Sequence, residues 1–408
     1  MSDKKINSEL DQIFDSFNKN CIFRDKSILQ TNYQPGNIIH RDEQIKQIAA
    51  ILAPILRGER PSNLFLYGKT GTGKTLSIQY VRDELLKRSK KDSDFKLKII
   101  YLNCKLKKVS DTEYRILAEL IKKLGGEVPA TGLPTESVYN KFIDIVDSEK
   151  QLVLLILDEI DQTVKKISDG FLYNLTRMNS ELSKTQISVV GISNDLTFLD
   201  NIDPRIRSSL SEEEIVFPPY NALQIQDILK NRSEEAFIEK ILHEGVIPKC
   251  AAFAAREHGD ARRALDLLRI AGELAERDGS KSVLLKHIDL ANEKIEKDKI
   301  LDVIKTEPKQ FQLVLYSIIQ LSEKRKNEPI FTGDVYNLYQ DLCKENHTEI
   351  LTQRRVSDIV QEFDMLGIIN VRVISKGRGG RMREIRLAIT DKIVKQAKEI
   401  IQDSLNYN

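Results

Sequence analysis

The stretch that decides the fold reads Gly68-Lys69-Thr70-Gly71-Thr72-Gly73-Lys74-Thr75 and matches the phosphate-binding pattern GxxxxGK[ST] in full. An apolar run over residues 63–67 precedes it and a helical pattern over residues 75–87 follows it, which is the strand–loop–helix context that the pattern requires. Glycines let the backbone curl so that successive N–H groups face one phosphate, and the amino end of the helix adds a positive dipole. The stretch therefore predicts a loop that binds ATP.

Two side chains of this loop have specific expected roles. Lys74 is expected to reach the β- and γ-phosphates, and the hydroxyl of Thr75 is expected to bind Mg²⁺. The other predicted nucleotide contacts in the loop and its helix are Gly68, Thr70, Gly71, Thr72, Gly73 and Leu76.

Strand patterns alternate with helix patterns around this loop. Apolar runs over residues 97–102, 152–157 and 186–192 are typical of strands, and helical spacing recurs over residues 41–52 and 113–124. The run over residues 152–157 is apolar at every position, as in a parallel sheet that is covered on both faces. The alternation predicts an α/β domain with a parallel sheet.

Polar residues follow two of these apolar runs. Asp158 is the expected magnesium ligand, and Glu159 beside it is expected to polarise the attacking water. Asn194 follows the next run and is expected to orient that water beside the γ-phosphate. Glu159 and Asn194 also have a plainer interpretation as polar residues after a strand. The phosphate loop upstream favours the catalytic interpretation.

Two arginines farther along the chain are candidates for phosphate contacts. Arg205 follows an Asp-Pro turn and is either a finger toward the nucleotide of a neighbouring subunit or a partner in a salt bridge within the chain. Arg262 begins a helical pattern after Gly259-Asp260. It is expected to contact the γ-phosphate and report closure of a lid, because a guanidinium stays charged and binds phosphate through several donors. A solvated helix face is the alternative for Arg262.

The chain changes character after residue 220. Residues 221 to about 300 look helical throughout, as in a small lid, and Pro308 opens a third region. That region has helical patterns over residues 309–325, 332–345 and 352–365, then β-like runs over residues 369–374 and 384–389. Three helices followed by a glycine-tipped hairpin predict a winged helix-turn-helix.

DNA binding is predicted from local charge in this third region. The whole chain has 63 basic and 61 acidic residues, a net charge of +2, so bulk electrostatics gives no argument. Six basic residues lie from Arg372 to Arg386 against the single Glu384. A glycine-rich tip with arginines suits phosphate or minor-groove contacts, whereas a solvated hairpin is the alternative. The predicted wing contacts are Lys376, Arg378, Arg381 and Arg383.

The preceding helix is the predicted recognition helix, because such helices read bases with their amino-terminal residues. Gln353, Arg354 and Arg355 stand at its start. Arginine or glutamine there pairs with guanine or adenine edges. No base sequence follows from these residues.

Composition excludes several classes of protein. The four cysteines lie far apart and form no CxxC pair, so no zinc site is expected. The amino terminus does not read as a signal peptide, and the longest apolar run is too short to span a bilayer. We expect a cytoplasmic, nucleoid-associated protein with no membrane partner.

The motifs together resemble the AAA+ ATPases and, more narrowly, the archaeal replication initiators related to eukaryotic origin-recognition and cell-division-control subunits. The resemblance runs from about residue 33 to the carboxyl terminus. The motifs that carry it are Asp158-Glu159-Ile160-Asp161, Asp203-Pro204-Arg205, Ser208-Ser209-Leu210, Phe217-Pro218-Pro219-Tyr220 and Gly259-Asp260-Ala261-Arg262. The resemblance implies an AAA+ base, a helical lid and an α+β winged helix. The corresponding predicted divisions are an arm over residues 1–35, a base over 36–220, a lid over 221–305 and a winged helix over 306–408.

The resemblance also implies further contacts and partners. Tyr220 and Arg232 would contact adenosine, with Ile39 and Arg41 on the adenine side. Lys105, Lys107 and Lys108 would contact DNA phosphates from an inserted helical element, unless they belong to a solvated loop. The implied partners are double-stranded origin DNA, the replicative helicase and related initiators in homo- or hetero-oligomers.

Three functions compete at this point. The first is an ATP-regulated origin-binding initiator in which slow hydrolysis resets the switch. The second is a winged-helix transcriptional regulator that uses the same ATPase without loading helicase. The third is a loader with continuous ATP turnover, although the winged domain argues against a clamp loader. The sequence does not separate the initiator from the regulator.

Overall fold

The computed structural model describes residues 21–89, 95–105, 112–129, 132–167, 170–198, 200, 202–210, 212–325, 328–375 and 381–405. They form two compact units that divide between Ile288 and Asp289. The helix Leu285–Thr306 contains this division. Within the described residues, no helix combines the length and the apolar character that crossing a bilayer requires.

A five-stranded parallel sheet is the centre of the first unit. Its strand order is β2-β3-β4-β1-β5. The strands are β1 (Asn63–Tyr67), β2 (Lys96–Asn103), β3 (Gln151–Asp158), β4 (Thr185–Ser193) and β5 (Glu212–Val216). Every residue of β3 is buried, so the prediction of a parallel sheet covered on both faces is confirmed.

Side chains alternate between the two faces of this sheet and build one core on each. Val153, Leu155 and Leu157 lie in one core with helices that follow β2. Leu154 and Ile156 lie in the other core, which also contains residues of β1 and of the helix after the phosphate loop. This two-sided burial fixes the register of the strands and so places their carboxyl ends at one edge.

The helices of the base connect and cover these strands. They are α1 (Asp42–Leu52), α2 (Lys74–Ser89), α3 (Glu113–Lys123), α4 (Thr135–Val146), α5 (Ile160–Ile167), α6 (Gly170–Arg177) and α7 (Pro204–Leu210).

Helices alone follow the sheet, as the sequence predicts. They are α8 (Ala222–Ala236), α9 (Val246–Arg256), α10 (Ala261–Arg277) and α11 (Leu285–Thr306). An N-terminal segment packs on them: Phe23 pairs with Phe237 at 4.8 Å between ring centroids. The ring of Phe23 lies so close to Gly272 that a Cβ there would stand 2.4 Å from it.

The second unit has the predicted winged-helix architecture. Its helices are α12 (Lys309–Lys324), α13 (Thr332–Glu345), α14 (Gln353–Met365) and α15 (Asp391–Leu405). Its strands β6 (Ile330–Phe331), β7 (Ile369–Ser375) and β8 (Arg381–Leu387) form an antiparallel sheet in the order β6-β8-β7. Val356, Ile359, Val360 and Phe363 of α14 are buried in its core, as predicted.

Two elements differ from the prediction. β5 is not predicted from the sequence, because it reads Glu-Glu-Glu-Ile-Val and, among its side chains that the structure describes, Ile215 alone is buried. It is an edge strand that pairs with β1 alone, and edge strands tolerate charged residues. β8 begins at Arg381 and ends at Leu387, rather than covering residues 384–389, because its pairing with β7 extends to Ser375 and Arg381.

Candidate functional site

The phosphate loop joins the end of β1 to the start of α2 and contains two close approaches that only glycine permits. Gly71 has φ +74° and Gly73 has φ +91°, in the left-handed region that disfavours side chains. A Cβ on Gly71 would stand 1.7 Å from Asp260 Oδ1, and one on Gly73 would stand 2.8 Å from the hydroxyl of Tyr220. The loop therefore lies directly against Asp260, at the start of the lid helix α10, and against Tyr220, at the end of the base.

Lys74 is buried at the centre of the loop. Its Nζ donates to the carbonyl oxygens of Gly68 at 2.6 Å and Lys69 at 2.9 Å and to Asn194 Oδ1 at 2.9 Å. Burial lowers the pKa of Lys74 to about 8. An anionic phosphate beside the ammonium would offset this cost, so the arrangement favours a phosphate ligand.

Asp158 and Thr75 meet at the carboxyl end of β3. The Thr75 hydroxyl donates to Asp158 Oδ2 at 2.9 Å, and the Tyr101 hydroxyl donates to the same oxygen at 2.7 Å. A carboxylate and a hydroxyl are hard oxygen donors of the kind that Mg²⁺ binds. The two predicted ligands are therefore adjacent and fit a magnesium ion.

Glu159 has a strained backbone beside this pair. Its φ is +55°, which is costly for a non-glycine residue and is concentrated at functional sites. Glu159 Oε2 lies 3.4 Å from Lys105 Nζ. Glu159 directly follows Asp158 at the carboxyl end of β3, where the sequence predicts a base for water.

Asn194 is held from two sides. Its Oδ1 accepts from Lys74, and its backbone N–H donates to Asp161 Oδ1 at 3.4 Å. Asp161 is itself buried. The structure thus brings Asn194 beside Lys74, where the predicted water would lie.

Two adjoining cavities share Gly71, Gly73, Thr75 and Arg262. A polar cavity of about 140 Å³, here called the phosphate cavity, is also lined by Lys74, Asp158, Glu159, Asn194 and Tyr101. A larger cavity of about 280 Å³, here called the purine cavity, is lined by Ile39, Leu76, Tyr220 and Arg232 among others. The predicted phosphate contacts and the predicted adenosine contacts therefore lie in neighbouring spaces.

Two residues that the resemblance assigns to the adenosine side of the site, Arg232 and Arg41, form hydrogen bonds within the protein. Arg232 donates to the Ile28 carbonyl at 3.4 Å and its guanidinium lies 4.5 Å from the ring centroid of Tyr33. Arg41 lines neither described cavity. It lies behind the phosphate loop and donates to main-chain carbonyls. Its predicted role on the adenine side stays a prediction.

The two candidate arginines have different surroundings. Asp260 caps α10 by accepting from the N–H groups of Arg262 and Arg263, and this places Arg262 in the phosphate cavity. Arg205 forms a salt bridge within the chain, one of its two alternatives, with Nη2 3.1 Å from Asp203 Oδ2. Because the Arg205 side chain is 89% exposed, this pair is weak. A role toward a neighbouring subunit stays a prediction.

The predicted DNA contacts of the second unit are exposed where the structure describes them. Gln353, Arg354 and Arg355 lie in the first turn of α14 with exposed side chains. Thr352 caps this helix by accepting from the Arg355 N–H. Arg383 is exposed on β8. Lys107, Lys108, Lys376, Arg378 and the side chain of Arg381 lie outside the described residues.

Sequence reasoning missed several residues of the site. Tyr101 comes from the end of β2, and Asp260 comes from the cap of α10. Lys105, for which the resemblance implies a DNA phosphate contact, lies 3.4 Å from Glu159 Oε2. The contacts of Tyr101 and Lys105 arise from the pairing of Asn103 with Asp158 in neighbouring strands. The sequence does contain one signal for Tyr101 and Lys105. The strand pattern over residues 97–102 is followed by polar residues, as is the strand that ends at Asp158.

Models of known families match consecutive parts of the chain. The AAA domain matches residues 57–198, the Cdc6 AAA+ ATPase-type lid domain matches residues 226–293, and the CDC6 C terminal winged helix domain matches residues 302–397. The chain is 52% identical over 391 residues to the ORC1-type DNA replication protein of Thermococcus onnurineus, which covers 95% of this chain and 93% of that protein. The chain belongs to the family of ORC1-type DNA replication proteins.

Further relatives of this ORC1-type chain agree in sequence and in structure. It is 50% identical to ORC1-type DNA replication protein 1 of Methanosarcina mazei, over 93% of this chain and 91% of the relative. The structure of the Aeropyrum pernix ORC1 protein in complex with DNA matches with a TM-score of 0.80 at 42% identity, over 95% of this chain and 98% of that chain. The structure of Cdc6p from Pyrobaculum aerophilum shares the fold, with a TM-score of 0.59 at 20% identity and coverage of 94% and 100%. The predicted family, architecture and role in DNA replication are confirmed.

Proposed function

We propose that this ORC1-type protein is an ATP-switched replication initiator that binds double-stranded origin DNA and helps recruit the replicative helicase. The observation that carries the proposal is the convergence of Lys74, Asp158, Glu159 and Asn194 on one small cavity, in a chain that also has a winged helix. The structure of the Aeropyrum pernix ORC1 protein in complex with DNA supports DNA as the ligand. The proposed place of action is the cytoplasm, at the nucleoid.

The switch is proposed to work through the γ-phosphate. The main-chain N–H groups of the loop and Lys74 would bind the phosphates, and Tyr220 and Arg232 would enclose the adenosine. Thr75 and Asp158 would hold Mg²⁺, which neutralises phosphate charge when it is bound. Glu159 would take a proton from the attacking water while Asn194 orients that water.

DNA is proposed to bind the second unit. The exposed amino end of α14 would enter the major groove, and Arg383 with the rest of the wing would contact phosphates. The structure of Drosophila ORC bound to DNA shares the fold of the chain, at 19% identity. Assembly with related initiators on DNA and contact with a helicase are parts of the proposal that rest on the resemblance.

Nucleotide binding is tested first by titration calorimetry with ATP. Lys74→Ala should abolish or strongly weaken ATP binding, because the phosphates lose their main side-chain partner. Lys69→Ala is the matched control, because Lys69 lies in the same loop but its Nζ contacts His258 at 3.3 Å. Glu159→Ala should bind ATP and lose hydrolysis. Equal ATP affinity of wild type and Lys74→Ala would refute the phosphate loop.

The role at origins is tested in cells by mapping where the protein occupies chromosomal DNA. We expect occupancy at sites where replication starts, with loss of occupancy after substitution of the α14 arginines. Occupancy concentrated at promoters, with replication starts unoccupied, would instead support the transcriptional regulator.

A further inference from the structure

Arg41 is a buried cation behind the phosphate loop. It is 2% exposed, and among the described residues no carboxylate forms an ion pair with it; the face of the Tyr220 ring lies against its guanidinium instead. A buried charge without an opposite charge is costly unless its donors are well used. The contacts of Arg41 therefore need an explanation.

The guanidinium joins three segments of the first unit. Arg41 Nε donates to the Thr72 carbonyl at 2.8 Å, and Nη2 donates to the Pro218 carbonyl at 2.6 Å. A longer bond of 3.3 Å links Nη1 to the carbonyl of His40. The guanidinium carbon also lies 3.8 Å from the centroid of the Tyr220 ring. Arg41 thus holds the phosphate loop against the linker that leads from the sheet to the lid.

The bond to Thr72 acts on one particular peptide group. The carbonyl of Thr72 and the N–H of Gly73 belong to the same planar peptide and point in opposite directions. Fixing the carbonyl toward Arg41 therefore fixes the N–H toward the other side of the loop. Because Gly73 has a positive φ and no side chain to restrict rotation about its N–Cα bond, this peptide turns more readily on that side without such a bond. A charged donor on the carbonyl also polarises the N–H.

We propose that Arg41 is a positioning residue for the phosphates, which holds the Thr72–Gly73 peptide in its binding orientation and ties the loop to the lid linker. The proposal deepens the proposed nucleotide switch and rests on it. Arg41 would act through the main chain, without touching the nucleotide. Because Arg41 also contacts Pro218 and Tyr220, the same side chain would connect the nucleotide-bound loop to the segment that leads into the lid.

The test compares Arg41→Met, Arg41→Lys and Arg82→Met with wild type. Methionine keeps most of the length and removes every donor, whereas lysine keeps the charge but not the fork of donors. Arg82 is the matched control, because it lies on the helix after the loop and contacts Asp83 at 2.7 Å. ATP and ADP affinities are measured by calorimetry, and amide exchange is followed by mass spectrometry.

We expect Arg41→Met to weaken ATP and ADP on the order of tenfold, the effect of one well-placed hydrogen bond. Amide exchange should accelerate in fragments that contain residues 68–76 and stay unchanged in Gln151–Asp158. A purely structural role would instead accelerate exchange in the core strands and leave the affinity of the folded fraction unchanged. Arg82→Met should match wild type in both measurements.

Arg41→Lys decides the question if Arg41→Met fails to fold. It should fold, with a smaller loss of affinity and faster exchange confined to the loop. Wild-type affinity and exchange in Arg41→Lys, or in a folded Arg41→Met, would overturn the proposal. Lys74→Ala separates this failure from that of the nucleotide switch: if wild type binds ATP and Lys74→Ala does not, the switch stands while the role of Arg41 falls.

Discussion

Tyr101 is the residue whose contact most directly affects the proposed magnesium site. Its hydroxyl donates to the same Asp158 oxygen that accepts from Thr75. Burial, with the nearby Asp158 carboxylate, raises the pKa of Tyr101 above its usual range, so the phenol keeps its proton and remains a donor. It therefore fixes the orientation of the carboxylate.

Tyr101→Phe should raise the Mg²⁺ concentration that half-saturates nucleotide binding by roughly tenfold or more, because groups that orient a ligand carboxylate have effects of this size. The measurement is a Mg²⁺ titration with a fluorescent ATP analogue, repeated in EDTA. ATP binding in EDTA should be the same in both proteins. Tyr80→Phe, an exposed tyrosine of α2, is the control. An unchanged Mg²⁺ requirement in Tyr101→Phe would contradict this role.

The contacts of some site residues can be predicted from the sequence, whereas those of others cannot. Lys74 and Thr75 belong to a pattern of eight consecutive positions, so their neighbourhood follows from local chain geometry. The partners of Tyr101 and Arg41 lie 57 and 31 positions away. Those contacts depend on strand order and on the path of the linker before the lid, which no local pattern contains.

Helix α14 is the element on which DNA specificity should depend. Its apolar face is buried in the winged-helix core, which leaves the first turn exposed with Gln353, Arg354 and Arg355. Arg355 Nη1 lies 4.0 Å from Glu362 at the surface, a weak pair that DNA can replace. The fixed helix and the exposed, weakly paired arginine suit contacts with base edges.

Arg355→Ala should cost about 1–3 kcal/mol at one base position of the preferred duplex and little on a scrambled one, because a paired hydrogen bond to a base is lost. Arg383→Ala should weaken both duplexes equally and make the slope of log affinity against log salt shallower by about one unit, because a phosphate contact is lost. Salt titrations by fluorescence anisotropy measure both effects. An equal loss on both duplexes for Arg355→Ala, or an unchanged slope for Arg383→Ala, would refute the respective assignment.

Elements were predictable where burial leaves a strong periodic pattern. β3 is apolar at each position from Leu152 to Leu157 and α14 has four core residues at helical spacing. β5 is not predictable in this way, because three glutamates precede the buried Ile215. Its strand conformation comes from pairing with β1, so tertiary contact decides what local preference does not.

At the scale of the whole molecule, the phosphate cavity is built from both the base and the lid. Lys74 and Asp158 belong to the base, whereas Arg262 comes from the lid helix α10. The Ala261 N–H also lies 3.4 Å from the carbonyl of Gly71. A γ-phosphate in this cavity would contact Arg262 and Lys74 together, and ADP lacks that group. ATP should therefore favour a closed arrangement of base and lid more than ADP does, since a ligand shifts an equilibrium only by its differential contacts.

Arg262→Ala should reduce the difference in small-angle scattering between the ATP and ADP states, because the lid loses its charged contact with the γ-phosphate. The reference protein, the Arg262→Ala variant and the Arg256→Ala control all carry Glu159→Gln, so that ATP persists during the measurement. Arg256→Ala, an exposed arginine of the lid that does not line the phosphate cavity, should keep the full difference. ATP affinity is measured in parallel, so that each comparison is made at saturation. The same ATP–ADP difference in the Arg262→Ala and Arg256→Ala proteins would show that closure depends on the loop and linker contacts rather than on this arginine.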